Sequence, residues 1–170
     1  MNYPQPMLDF SQPLQLDGMQ VLPEHIDANG HMNVGYYNVI FDLALDKFFV
    51  PFDLDWGYVQ RTNLSTFVLE THVCYLQEVV EGDKLRFTFQ LLDHDAKRIH
   101  YFLCMYHAEK GYLAATSEQA LLHVSLETRR TAPFLPEHQA LFTRMLEGHA
   151  KLPRPEQAGR SIGLNKKPKA

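Results

Sequence analysis

The sequence predicts an α+β domain in which a five-stranded antiparallel sheet curls around one long helix. Three observations carry that expectation. From about Val34 to Phe49, apolar residues recur at helical spacing (Val34, Tyr37, Phe41, Ala44, Leu45, Phe48), and Ile40 and Leu43 widen the stripe. Four strand-length runs follow, Ser65–Gln77, Lys84–Asp93, Arg98–Ala108 and Tyr112–Ser125, all rich in Val, Leu, Phe, Tyr and Thr. The turns between them are short, at Glu81-Gly82-Asp83, Asp93-His94-Asp95 and Glu109-Lys110-Gly111, and short turns join antiparallel neighbours. A helix that is apolar on most sides needs a sheet wrapped around it rather than a flat surface beneath it.

Taken in order, residues 1–16 are rich in Pro and Gln and read as an N-terminal arm. A short strand, Met19–Leu22, follows Gly18 and is closed by Pro23. Glu24 to Asn33 is polar, contains Gly30, and reads as a loop that ends on an N-cap at Asn33. The long helix stops before Pro51. In the third strand, Leu85, Phe87 and Phe89 alternate with Arg86, Thr88 and Gln90, the period of a half-buried strand. Pro133 and Pro136 punctuate the end of the sheet, and Glu137–Leu146 suits a short helix. The polar, Pro-containing stretch after residue 150 reads as unpacked. The expected organisation is thus an arm over 1–16, one domain over 17–147 and a flexible tail over 148–170.

A chain of 170 residues suits one domain, able to bury roughly 70% of the surface of its unfolded form. A net charge of −4 and a pI near 6.1 argue against a nucleic-acid partner, which needs a basic stripe. The one basic run, Lys166, Lys167 and Lys169, reads as solvated. No apolar run reaches the ~18 residues of a membrane span or the pattern of a signal peptide, so a cytoplasmic protein is expected, with no membrane association. Cys74 and Cys104 read as free buried thiols. His25, His31, His72, His94, His100, His107 and His123 fall at no familiar metal spacing, and neither a metal nor a cofactor is expected. A Gly-x-Ser-x-Gly elbow is absent.

The loop Asp27-Ala28-Asn29-Gly30-His31-Met32-Asn33, with Tyr37 four residues on, resembles the turn that opens the 4-hydroxybenzoyl-CoA thioesterase-like branch of the hot-dog superfamily. Tyr75 to Asp83 and Arg129 to Phe134 add to the resemblance, which covers roughly residues 17–135. It implies a hot-dog fold, hydrolysis of an acyl-coenzyme A, and a homodimer or tetramer with the site between subunits. It also implies roles: Asp27 as nucleophile or general base, Gly30 at the tight turn, and the backbone N–H near Val34 as oxyanion donor. One departure concerns His25, which stands where the family often carries a second Asp.

Physical chemistry is compatible with those roles. Thioester hydrolysis builds negative charge on the carbonyl oxygen, and a helix N-terminus offers free N–H groups and a favourable dipole. A carboxylate one turn upstream can attack the carbonyl or activate water. Each residue also has a plainer reading: Asp27 as a turn-former, His31 as a brace for the loop, Asn33 as a cap rather than a substrate contact. Glu70, on the second strand, is the reserve carboxylate, with a solvent-facing strand residue as its plainer role.

Arg129 and Arg130, then Lys97, Arg98 and Arg61, are candidates for the coenzyme A phosphates, with solvated surface charge as the alternative. Phe48, Phe49, Phe52, Trp56 and Tyr58 crowd the end of the helix and read either as packing or as an aromatic wall for the acyl group. The sequence is similar to thioesterases that accompany carnitine breakdown, whose acyl group is a quaternary ammonium, and aromatic faces can hold such a cation. That singles out Trp56 for a betainyl-type substrate. The competing functions are a non-catalytic acyl-CoA-binding module and a hot-dog dehydratase using His31.

Overall fold

The computed structural model describes residues 8–164, and the lysine run of the C-terminus lies outside them. Its elements are β1 (Leu14–Gln20), α1 (Val34–Phe49), α2 (Trp56–Thr62), β2 (Leu64–Tyr75), β3 (Lys84–His94), β4 (Arg98–His107), β5 (Leu113–Ser125), β6 (Arg130–Thr131) and α3 (Pro136–His149). The sheet is antiparallel in the order β1-β3-β4-β5-β2, with the two-residue β6 on β5. The expected α+β architecture, a long helix wrapped by five long strands, is what forms.

α1 forms because its apolar residues fall on a wide face. Tyr37, Ile40, Phe41, Ala44, Leu45, Phe48 and Phe49 are all buried. The inner face of the sheet meets them with Leu85, Phe87, Phe89 and Leu91 of β3 and Tyr101, Leu103 and Met105 of β4. Phe41 packs edge-on against Phe87 at 5.9 Å, and Phe48 against Phe89 at 5.6 Å. A side chain of this size contributes ~2–3 kcal/mol when taken fully from water, so the helix is held by burial more than by its own propensity.

Four expectations need correction. The first strand starts at Leu14, inside the stretch read as an arm, because Leu14, Leu16 and Met19 all reach the core. Gly18, at φ +89°, sits where the β1–β3 register shifts between Leu16 and Met19, and this bulge breaks the alternation that would have marked the strand. Residues 56–62, to which the sequence assigns no element, form α2; Asp55 caps it by accepting from the Tyr58 N–H at 3.1 Å, and Tyr58 is buried. α3 runs to His149 rather than Leu146. Residues after 150 do pack: Gln90 Nε2 donates to the Pro153 carbonyl at 3.3 Å, and the Gly159 N–H donates to Glu118 at 2.7 Å.

Cys74 and Cys104 are free and half-buried rather than buried. Both pair with Thr116 across adjacent ladders. They therefore stand about two strand spacings, ~9.6 Å, apart, beyond the ~7 Å reach of a disulfide. No helix among the described residues is long and apolar enough to cross a membrane.

Candidate active site at the start of the long helix

The loop before α1 is a tight hairpin. Ile26 and Met32 form an isolated bridge, the Asp27 N–H donates to the His31 carbonyl at 3.1 Å, and the Gly30 N–H donates to the Asp27 carbonyl at 3.0 Å. Gly30 has φ +82°, with open space where a Cβ would go, so the turn requires glycine for its backbone angle and not for room. The Met32 N–H donates to the Val79 carbonyl at 2.9 Å, which fastens the loop to the segment after β2.

These bonds fix the Asp27 carboxylate. Its Oδ1 accepts the Asn29 N–H at 2.8 Å and its Oδ2 accepts a long bond from Asn33 Nδ2 at 3.4 Å. The same Asn33 side chain turns its Oδ1 to the Gly35 N–H at 2.9 Å, which makes it the N-cap of α1. One amide thus ties the carboxylate to the helix terminus. Among the described residues, the N–H of Val34, first residue of α1, makes no hydrogen bond. The result is a half-buried carboxylate in the same loop as an unspent amide at the positive end of a helix dipole.

His31 donates its Nδ1–H to the Met32 carbonyl at 3.2 Å. Among the described residues it makes no bond to Asp27, so these two residues do not form the His–carboxylate pair that a dehydratase would use. His25 is buried, stacks near Tyr36 at 4.8 Å, and accepts the Leu22 N–H on Nδ1 at 3.0 Å. It occupies the position of the missing acid as a neutral brace. Tyr37 is buried and touches Tyr75 edge-on at 5.0 Å. Burial pushes its phenol up, with Tyr112, Glu78 and Tyr75 nearby adding to the effect.

The other predicted residues lie elsewhere. α1 separates Trp56 from Asp27 by its whole length, about 24 Å at 1.5 Å per residue. Trp56 is 74% exposed, whereas Phe48, Phe49, Phe52 and Tyr58 are buried as core, so the expected aromatic wall reduces to one residue within a chain. Arg129, at φ +55°, spreads its guanidinium over Phe67 at 5.6 Å, and Arg130 is exposed on β6; both belong to the Trp56 end. Arg61 and Arg98 are held by Asp53 and Asp95.

Glu70 lies on the outer face of the sheet, past a register shift in β2. It lines a cleft of about 820 Å³ between that face and residues 159–162. There His100 and Glu118 pair at 2.7 Å, and Glu118 also accepts the Gly159 N–H. This cleft faces away from the helix terminus. Among the described residues, no three His, Cys, Asp or Glu side chains converge as metal ligands.

Sequence reasoning missed the network that seals the far end of α1. Tyr58 O–H donates to His123 Nε2 at 2.9 Å, and His123 Nδ1–H donates to the Ala132 carbonyl at 3.0 Å. Phe134 stacks on His123 at 4.4 Å, and His138 meets Tyr58 edge-on at 5.1 Å. The signal available was the tight group of Phe134, Pro136 and His138 before a helical stretch.

Comparison with known proteins finds matches over most of the chain. The thioesterase-like superfamily profile matches residues 21–142. A betainyl-CoA thioesterase of Pseudomonas aeruginosa is 42% identical over 155 residues, covering 91% of this chain and 98% of that protein. An L-carnitine dehydrogenase/betainyl-CoA thioesterase of Rhizobium meliloti is 38% identical over 160 residues, covering 94% of this chain but 32% of that longer protein. A Staphylococcus aureus protein solved in complex with CoA superposes with a TM-score of 0.82 at 30% identity, covering 90% of this chain and 96% of that one. The hot-dog fold, the loop that presents Asp27 to a helix terminus and these matches lead to one assignment: the chain belongs to the thioesterase-like superfamily.

Proposed function

We propose that this thioester hydrolase cleaves a small acyl-coenzyme A of the betainyl type, with Asp27 as nucleophile or general base and the Val34 N–H as oxyanion donor. The observation that supports it most is the Asn33 side chain, which joins the Asp27 carboxylate to the N-terminus of α1. A thioester carbonyl placed between them meets a base on one side and a hydrogen-bond donor on the other. Attack by the carboxylate, or by water it deprotonates, moves charge to the carbonyl oxygen, and the coenzyme A thiolate departs without a strong acid. The Nε2 of His31, opposite the nitrogen bonded to Met32, stands ready to relay a proton at the rim. No group besides the substrate's coenzyme A is required. The betainyl substrate is that of the P. aeruginosa relative, a betainyl-CoA thioesterase, and it transfers here as a proposal.

The assembly we propose is a homodimer through β2. That strand is an edge of the sheet and exposes Phe67, Val68 and Leu69, a row that solvent tolerates poorly. Antiparallel pairing of two β2 strands about their middle sets the Asp27 end of one protomer against the Trp56, Arg129 and Arg130 end of its partner. The aromatic and basic residues that one chain keeps apart are then supplied in trans. The free thiols suit a reducing, cytoplasmic setting.

The test is coenzyme A release from aromatic, aliphatic and cationic acyl-CoAs by wild type and Asp27→Asn. Loss of turnover in a folded variant supports the assignment. Turnover that survives moves the carboxylate, with Glu70 next in line. Absence of thiol release from every ester by the wild type returns the chain to the acyl-CoA-binding alternative.

A further inference from the structure

We propose that Tyr75 and Glu78, backed by Tyr37, form the seat for a cationic acyl head and so set the charge class of the substrate. The inference rests on the thioesterase reading above and assigns the recognition of its acyl group to residues beside Asp27 rather than to Trp56 of the same chain.

Tyr75 ends β2 and is 47% exposed, yet its ring is braced edge-on by buried Tyr37 at 5.0 Å and 79°. An oriented, half-exposed aromatic face is what a quaternary ammonium needs, since that group has no N–H to donate and is held by π-faces and by charge. Tyr37 lies in the first turn of α1, three residues past the Val34 N–H. The segment after Tyr75 is fixed at two points, one on the residue before β5 and one on the loop that carries Asp27. Tyr112 O–H donates to the Glu78 carbonyl at 2.9 Å, and the Val79 carbonyl accepts the Met32 N–H at 2.9 Å. The Glu78 carboxylate is exposed at this rim.

The local charge agrees. Residues 1–60 contain a single Lys or Arg, Lys47, which lies in the last turn of α1, away from the loop. Residues 74–83 contain Glu78, Glu81 and Asp83 and no Lys or Arg. With the adjoining Lys84 paired to Glu109 at 2.9 Å, a cationic head at Tyr75 meets net negative charge from its own protomer, whereas a carboxylate-bearing acyl group is repelled there.

The test compares betainyl-CoA with its uncharged isostere, 3,3-dimethylbutanoyl-CoA, in which carbon replaces the ammonium nitrogen. The readout is the ratio of the two kcat/KM values in wild type, Tyr75→Leu, Tyr75→Phe and Glu78→Gln. The ratio is expected to fall about tenfold in Tyr75→Leu and about threefold in Glu78→Gln, and to stay within about threefold in Tyr75→Phe, which keeps a ring face. The Glu78 effect shrinks in high salt, as an exposed charge requires. A ratio unmoved by both Tyr75→Leu and Glu78→Gln overturns the seat while leaving the hydrolase reading intact. Equal losses on both esters do the same, since they mark a structural role. Failure of the wild type to cleave either ester while it cleaves another acyl-CoA overturns the seat alone, and failure on every acyl-CoA overturns the hydrolase reading with it.

Discussion

The two ends of α1 are built on opposite rules. At the N-terminal end the backbone is left partly unspent: the Val34 N–H has no acceptor among the described residues and the Asp27 carboxylate is satisfied by one firm bond and one long one. At the C-terminal end most of the polar groups are closed. Tyr58, His123 and the Ala132 carbonyl form a continuous chain of hydrogen bonds, with Phe134 stacked on the histidine. Buried His138 is the exception, with no hydrogen-bond partner on either ring nitrogen among the described residues. Polar groups at the open end retain hydrogen-bonding capacity at the surface, whereas the sealed end pairs most of its own under aromatic cover and bears the cost of one unpaired imidazole.

The sharpest way to break this contrast is Asp27→Asn. It should lower kcat at least 10³-fold, equivalent to ~4 kcal/mol of transition-state stabilisation, while thermal unfolding stays close to wild type. A melting point that falls with the activity would make Asp27 a structural turn residue instead. Phe134→Ala is the complementary cut. It removes the ring from His123 and should cost about 3–5 kcal/mol in denaturant unfolding, with turnover per folded molecule nearly unchanged. A selective loss of turnover would mean that the sealed end shapes the site.

Asn33→Asp sharpens the comparison within the open end. The cap survives, because an aspartate oxygen still accepts the Gly35 N–H. The donor to Asp27 is lost and a like charge arrives beside it, so kcat should fall on the order of tenfold and the acidic limb of the pH–rate profile should move up. An unaltered profile would detach Asn33 from the carboxylate.

The smallest effect is expected in the pH dependence of stability. Burial holds His123, His138 and His149 below the ordinary value of 6.5, and all three pack α3 or the segment leading into it. Around them stand Glu137, Asp53 and the Ala132, Phe52 and Gln12 carbonyls, which resist the shift without reversing it. The unfolded chain binds these protons more readily, so their stabilisation is complete above about pH 6.5 and falls as pH drops toward the folded values. Urea midpoints between pH 7.5 and 5 should decrease, and His138→Phe, which cannot take a proton, should flatten the slope. A midpoint that rises on acidification would contradict the sign.

Legibility in the sequence followed periodicity. α1 and the four long strands carry clean 3.6- and 2-residue patterns, and their positions were readable to within a residue or two. β1 was blurred by the Gly18 bulge and its Pro- and Gln-rich flank. α2, at seven residues, is too short for a period to show. In the site, Asp27, Gly30, His31, Asn33 and Val34 are neighbours in one loop, so a motif could group them. Tyr75 and Glu78 reach that loop only through β2–β5 pairing and the Met32–Val79 bond, contacts more than 40 residues apart in the chain. Trp56 and Arg129 were grouped with Asp27 by residue type, and the length of α1 undoes that grouping within one protomer.

Where β1 stops, the edge of β3 is finished by α3, and the join has a consequence for how this domain can be carried. His149 accepts the Leu91 N–H at 2.9 Å and donates to the Gln12 carbonyl at 3.2 Å, while Gly148 lies so close to the Phe10 carbonyl that an added methyl would collide with it. The first strand and the last helix therefore clasp each other, and the distance between the two boundary elements is nearly zero. A module closed in this way can be spliced beside another domain, or circularly permuted with new ends opened at the exposed Lys110–Gly111 turn, without breaking a strand ladder.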